Sequence, residues 1–414
     1  MDALTRTSSR RWFFRRAGLA SLLLPAAWSA RPGARELAAP TSSSPYARLG
    51  VRPLINAAGT YTRLSASLLP PDVTAAMHEA SKVYVDIPEL QHAVGRRLAD
   101  LLGVENALVT SGAAAALTLG TAACVAGSDP ERIKRLPDVS GMKNEVIIQR
   151  SHHFAYDHAV RAVGITFVEV ETREDLQRAI GPRTAMLLYF NAADPPGRIS
   201  REELVAAGKA AGVPTLIDAA ADVPPVGRLS EYARMGFDLV CISGGKGLRG
   251  PQCSGLLLGR TDLVEAAFLN GSPFSDSIGR AAKVGKEEIV GLLTAVELFV
   301  KRDHDAVWKD WEAQAREIVR VVGAVPAVER AETFVPEVAN ATPHVRIRWN
   351  EARAPGKRRD VARQLSDGDP RIEVRPSAED QPVLEVAVWM LEPGQHAVVA
   401  RRIREVLLER SGKG

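Results

Sequence analysis

The chain has 414 residues, 46% hydrophobic and 25% charged, an ordinary globular composition with room for two domains. Its net charge of +4 owes much to Arg6, Arg10, Arg11, Arg15 and Arg16, so the remainder is near balance and argues against a nucleic-acid surface. Cys124, Cys241 and Cys253 show no metal-ligand spacing and lie near apolar runs, which predicts buried thiols rather than a disulfide framework or a metal site.

Residues 1–30 read as an export signal. Ser9-Arg10-Arg11-Trp12-Phe13-Phe14 is a twin-arginine pattern, Ala17 to Ala27 form a short apolar stretch, and Ala27, Ser29 and Ala30 offer a cleavage site. The alternative is a disordered basic arm of a cytosolic protein. The apolar run is too short for a permanent membrane anchor. Twin-arginine export carries proteins across already folded, so the expected location is periplasmic or extracytoplasmic. Residues 31–48, rich in Pro and Ser, read as a linker.

A large domain is expected over 49–285. Val51 to Asn56 is extended, Asp72 is a candidate N-cap for a helix to about Lys82, and Glu89 to Leu102 has helical spacing and ends at Gly103. A short strand, Ala107 to Val109, runs through Thr110 into Ser111-Gly112-Ala113 and a small-residue helix. Such a helix start points free N–H groups and a positive dipole end at whatever sits there, which suits a phosphate. A capped core helix is the plainer reading.

From Glu145 onward, strands and helices alternate. Strands are expected at 146–148, 165–170, 185–190, 215–217 and 239–242, with helices from about Tyr156, at 174–180 and at 201–211. The pattern predicts an α/β fold with a mainly parallel sheet and helices on both faces. In such sheets ligands bind past the carboxyl ends of the strands. Ser111, His152, Asn191, Asp218 and Lys246 all fall there.

Lys246 stands among close glycines in Ser243-Gly244-Gly245-Lys246-Gly247-Leu248-Arg249-Gly250. Gly247 follows the lysine where a P-loop requires Ser or Thr, so a P-loop is excluded. An exposed lysine in a turn is the alternative. A shielded amine, however, loses its proton more readily and forms Schiff bases with carbonyls. Pyridoxal phosphate needs such a lysine, an anion beside its ring nitrogen, a phosphate cradle and a group over the ring. Asp218 offers the anion, Ser111-Gly112-Ala113 the cradle, His152 or His153 the stacking group, and Asn191 a donor to the ring hydroxyl.

These motifs, in this order, resemble the aspartate-aminotransferase fold, fold type I of the pyridoxal-phosphate enzymes. Ser243 to Gln252, Gly255-Leu256-Leu257-Leu258-Gly259 and Lys283 to Ile289 are similar to the selenocysteine-synthase-related branch, which holds the L-seryl-tRNA selenium transferase and the D-glucosaminate-6-phosphate ammonia-lyase. The resemblance covers Leu49 to the C-terminus. It implies that Lys246 carries the cofactor aldehyde, that Asp218 meets the pyridine nitrogen, and that Ser111, Gly112 and Ser243 lie near the phosphate. It places His152 on the ring, with His153 as the second choice, and Arg371 against a substrate carboxylate. It also implies a homodimer or larger homo-oligomer. The N-terminal region that handles tRNA in the transferase is replaced here by the expected signal and linker, so selenocysteine synthesis is not expected. The ammonia-lyase remains open, although no separate basic cluster marks a sugar-phosphate site.

A helix joining two domains is expected over 286–310, and a smaller α+β domain over 311–414, with strands at 344–349, 372–375 and 383–389 and a last helix from about Gly394 to Glu409. Trp308, Trp311 and Trp389 are expected in the core or at an interface. The function anticipated is a pyridoxal-phosphate-dependent lyase or related transferase, exported, acting on a small amino acid or amino sugar acid. The alternatives are an aminotransferase, an aldolase, or a binding protein that keeps the pocket without turnover.

Overall fold

The computed structural model describes residues 45–193 and 196–412. The expected signal and residues 31–44 of the expected linker lie outside the described residues; the last linker residues, Pro45–Arg48, form a helical turn. The strands are β1 (Ile55–Ala57), β2 (Asn106–Thr110), β3 (Glu145–Gln149), β4 (Thr166–Val170), β5 (Thr184–Phe190), β6 (Thr215–Asp218), β7 (Leu239–Ser243), β8 (Gly255–Gly259), β9 (Val328–Phe334), β10 (His344–Trp349), β11 (Ile372–Val374) and β12 (Val383–Ala387).

Seven strands form one sheet in the order β2-β8-β7-β6-β5-β3-β4. β4, β3, β5, β6 and β7 pair in parallel, whereas β8 runs antiparallel to both β7 and β2. The reason lies in the connection. Residues 244–254 are too few for the crossover a parallel strand requires, so β8 returns directly beside β7. That short return carries Lys246.

Successive side chains of these strands enter different cores. Ile147, Leu187 and Ile217 pack on one face with the helices Ile87–Leu102 and Lys286–Lys301; Ile148, Leu188 and Leu216 pack on the other with the helix Ala113–Ala126. The expected α/β class with helices on both faces is thus what forms. Gly120 lets the helix Ala113–Ala126 settle closely on the sheet, since a Cβ there would lie 2.7 Å from Leu216.

The helix Ile87–Leu102 is capped by Asp86, whose carboxylate accepts from Glu89 N at 2.8 Å, and stops at Gly103 with φ 65°. Asp72 does not cap the preceding helix. That helix spans Pro71–Ala80 with Pro70 at the cap, and Asp72 sits in its first turn, where its charge meets the dipole. The expected joining helix is interrupted: Lys286–Lys301 ends at an extended Arg302, and His304–Gly323 starts anew with Asp303 accepting from Ala306 N at 2.9 Å.

The C-terminal part builds a third core on a sheet of order β12-β10-β9, both pairs antiparallel. β1 pairs in parallel with β11, and Ile55 and Ala57 enter that same core. The first strand of the folded chain therefore belongs with its last third. Trp349 and Trp389 are 1% exposed, which places Trp389 in the core as expected. Of the cysteines, Cys241 is buried, Cys124 half-buried and Cys253 exposed, and all three are free, so the buried-thiol reading fails for Cys253. Among the described residues no helix is long and apolar enough to cross a membrane.

Candidate functional site

β7 ends at Ser243 and the chain folds back tightly. Gly244 N donates to Ser254 O at 2.9 Å, Gly250 N to Gly244 O at 2.8 Å, and Arg249 N to Lys246 O at 3.0 Å. Ser67 Oγ adds a bond to Gly245 O at 2.8 Å. The glycines here serve close approach. A Cβ on Gly244 would lie 2.2 Å from Ser254 Oγ, on Gly245 2.7 Å from Gln252 Cα, and on Gly247 2.1 Å from Val223 O. Side chains at these positions would push the turn away from its neighbours and Lys246 with it.

Asp218 is the last residue of β6, flanked across the ladder by Phe190 of β5 and Cys241 of β7. It is 4% exposed, and Oδ1 accepts from Ala220 N at 2.9 Å. Burial pushes its carboxyl up to about 6, against the pull of the Ala220 N–H and the Lys246 charge. Burial likewise pulls the Lys246 amine below the usual lysine value, while Asp218, Cys241 and Asp222 act in the other direction. The pair is an acid and a base, each resisting its charged form, held near one another at the carboxyl edge of the sheet.

Ser111 and Gly112 follow β2, and the helix Ala113–Ala126 begins immediately. Gly112 has φ 117° and ψ 165°, a conformation open essentially to glycine alone. A Cβ there would meet nothing within 4 Å, so the space in front of the helix start is open. Behind it, a Cβ on Gly255 would lie 2.5 Å from Gly112 C, so β8 supports the loop only because Gly255 has no side chain. The first amides of the helix have no partner within it and can take phosphate oxygens. Lysine, buried acid and open cradle together fit pyridoxal phosphate.

Four residues expected at the site are engaged elsewhere. His152 is fully buried: Nδ1 accepts from Phe190 N at 3.2 Å, Nε2 lies 3.2 Å from Gln149 Nε2, and its ring meets Tyr189 edge-on at 4.5 Å. Burial lowers its pKa to about 4, so the ring is neutral. It lines the neighbouring cavity, but its ring is held among protein groups and not as an open stacking face. His153 is bound through Nδ1 to Asp157, with Glu169 3.4 Å from Nε2. Asn191 donates to Asp222 Oδ2 and to the Tyr232 hydroxyl at 2.8 Å, so its amide hydrogens point at protein groups and not at a ring hydroxyl. Arg371 makes a two-point contact with Glu373 Oε1, at 3.0 Å and 2.6 Å, and that carboxylate also meets Ser366 and Arg63. Its charge is already matched, which leaves it a poor partner for a substrate carboxylate.

Asp222 escaped the sequence reading. It lies four residues past Asp218, is 5% exposed, accepts from Tyr232 OH at 2.7 Å, and has its carboxyl pushed upward by burial. With His152, Asn191, Arg201 and Arg228 it lines a cavity of about 190 Å³. Arg201 donates to Asn191 Oδ1 at 3.0 Å, and both arginines lie over the Tyr232 ring. The one signal for Asp222 was a second acid four residues past the first, in the loop after β6.

No family model matches the chain. It is 33% identical over 386 residues to a Streptomyces 5'-C-glycyluridine monooxygenase-decarboxylase, covering 89% of this chain and 93% of that one. It is 30% identical over 372 residues to the D-glucosaminate-6-phosphate ammonia lyase of Salmonella typhimurium, covering 87% and 97%. An L-seryl-tRNA(Sec) selenium transferase of Moorella thermoacetica matches at 28% over 287 residues, covering 62% of this chain and 57% of that protein. Among solved structures, a D-glucosaminate-6-phosphate ammonia-lyase superposes with a TM-score of 0.77 at 30% identity, over 88% of this chain and 98% of the other. A serine palmitoyltransferase bearing pyridoxal phosphate superposes at 0.55 and 17% identity, over 87% and 89%, a likeness of fold alone. Fold and site together define a pyridoxal-phosphate-dependent enzyme of the aspartate-aminotransferase-like class. The chain belongs to the selenocysteine-synthase-related branch of that class, with the ammonia-lyase and the selenium transferase.

Proposed function

We propose that this enzyme is a lyase that eliminates a group from a small amino acid or amino sugar acid. The observation that carries the reading is the grouping of Lys246 with two buried acids, Asp218 and Asp222, whose carboxyls are both pushed upward. The helix start at Ser111–Ala113, with Ser243, would hold the cofactor phosphate, and Asp218 would serve the ring nitrogen and favour its protonated form. The cofactor supplies a ring that takes up the electron pair left when a carbon–hydrogen bond next to the amine breaks. Lys246, whose burial eases loss of its proton, removes that proton. Asp222 returns a proton to the departing group, and Tyr232 and Asn191 orient its carboxyl. The relative named as an ammonia lyase at 30% identity supports elimination.

A second reading, oxidative decarboxylation, is favoured by the 33% identity to the monooxygenase-decarboxylase. The test is one screen. One portion of enzyme loaded with pyridoxal phosphate is reduced with borohydride and mapped, and a separate, unreduced portion is given amino substrates and followed for ammonia, carbon dioxide and oxygen uptake. Label on the Lys246 peptide and ammonia without oxygen uptake is the expected result. Oxygen uptake with carbon dioxide release selects the second reading, and label elsewhere overturns the assignment of Lys246.

The twin-arginine pattern supports export of the folded enzyme. Residues 1–45 fused to a folded reporter should carry it out of the cytoplasm, and Arg10→Lys with Arg11→Lys should retain it. Export of that double variant at the normal level overturns the proposal.

A further inference from the structure

A second cavity, of about 310 Å³, lies on the outer face of the small sheet and is lined by Arg346, Arg348, Arg358 and Arg375 with Glu379 and Glu385. The four arginines come from three places. Arg346 and Arg348 alternate along β10 and so share one face, Arg358 opens the helix Arg358–Asp367, and Arg375 follows β11. Two carboxylates do not satisfy them. Glu385 lies opposite Arg346, bonds it at 2.9 Å and 2.7 Å, and is also the nearest acid to Arg375, at 3.7 Å. Glu379 accepts from Gln381 at 2.9 Å. Arg348 has Val383 on one side and Arg330 on the other, so the ladder sets like charges face to face.

Two donors are left over. Arg358 Nε and Arg375 Nη1 are buried without a hydrogen-bond partner. A buried guanidinium N–H without an acceptor is costly, and gathering four guanidiniums around Glu379 and Glu385 adds repulsion. A bound anion removes both costs, and a planar guanidinium fork matches phosphate oxygens two at a time. We infer that this arginine-lined cavity of the small domain is a binding site for a phosphate monoester. It lies outside the cofactor machinery and does not rest on the lyase reading.

Enzyme loaded with cofactor, so that the Ser111–Ala113 cradle is filled, should be titrated by calorimetry with inorganic phosphate and then with glycerol phosphate in phosphate-free buffer. Saturable binding is expected, weakening as salt rises. Arg358→Gln and Arg375→Gln should each weaken it about tenfold or more, as loss of a charge-assisted contact predicts. Arg348→Gln, on the exposed rim, should weaken it in the same direction without risk to the fold. The cofactor absorbance should stay unchanged in all three. Competition between inorganic phosphate and a phosphorylated substrate assigns the site to the substrate's tail, and binding without competition assigns it to a separate effector. Either supports the site. Equal affinity in wild type and variants, or no saturable binding, overturns it. So does a wild type that binds no phosphate while the variants fall apart into smaller species, which gives this face to a subunit contact.

Discussion

Asp218 carries a pH dependence that can be read without turnover. Its folded carboxyl is pushed up to about 6 from an ordinary 3.8, so in the cofactor-free protein the native state holds the proton more tightly than the unfolded chain. Stability from this group is complete below about 4 and is lost as pH rises through about 6, a difference on the order of 3 kcal/mol at neutral pH. Asp218→Asn in cofactor-free enzyme should therefore raise the unfolding midpoint at pH 8 and leave it nearly unchanged at pH 4. An equal change at both values would remove the buried charge as the cause. Asp222 answers to a different assay. Asp222→Asn should lower kcat by roughly a hundredfold, the usual scale of a lost proton donor, with the cofactor still bound. Tyr232→Phe deletes a donor that holds the Asp222 carboxyl down, so any limb of the rate profile set by Asp222 should move to higher pH.

Glycines around the site act at the scale of elements, in two ways. Gly112 has open space but a backbone only glycine adopts easily, so Gly112→Ala should cost about 1–3 kcal/mol of strain at the cradle. Gly247 meets Val223 O, so Gly247→Ala should cost a similar 1–3 kcal/mol through displacement of the Lys246 turn. Melting curves with and without pyridoxal phosphate check both: each change should lower the cofactor-free midpoint and also shrink the gain on adding cofactor, Gly112→Ala through the phosphate cradle and Gly247→Ala through Lys246. Element identity around the seven-stranded sheet was legible because its strands are continuous apolar runs and its helices repeat at helical spacing. The helix 201–211 and the strand 344–349 match their expected spans residue for residue. β9 was not legible. Val328-Glu329-Arg330-Ala331-Glu332-Thr333-Phe334 has three charged residues among seven and none that is buried, and its pairing with β10 makes it a strand. The helix Arg358–Asp367 hid for the same reason, presenting little besides Val361 and Leu365 to the core.

At the scale of the whole molecule, exposed apolar residues point to assembly. Leu68, Val83, Tyr84 and Val85 are exposed among the described residues, three of them consecutive between two helices. We propose that this segment is covered in a homo-oligomer, as the resemblance to fold type I enzymes implied. Light scattering should give at least twice the 44.6 kDa chain mass, less any signal removed, and Tyr84→Glu should reduce the assembly. A monomeric wild type would end that proposal.

The sequence by itself determined the layered α/β class, the cofactor and the positions of Ser111, Asp218 and Lys246 at or just past strand ends. Each is written locally, in a strand end, a helix start or a glycine cluster, and the parallel sheet brings strand ends to one edge. Tertiary structure alone decided what those local signals cannot carry. It turned His152, Asn191 and Arg371 toward protein partners, because buried polar groups must be satisfied by whatever packs against them. It added Asp222 to the site, and it gathered Arg346, Arg348, Arg358 and Arg375 into one cavity where the chain showed no basic cluster. Charges spaced along a sequence say nothing of their company until strand pairing and packing set them face to face.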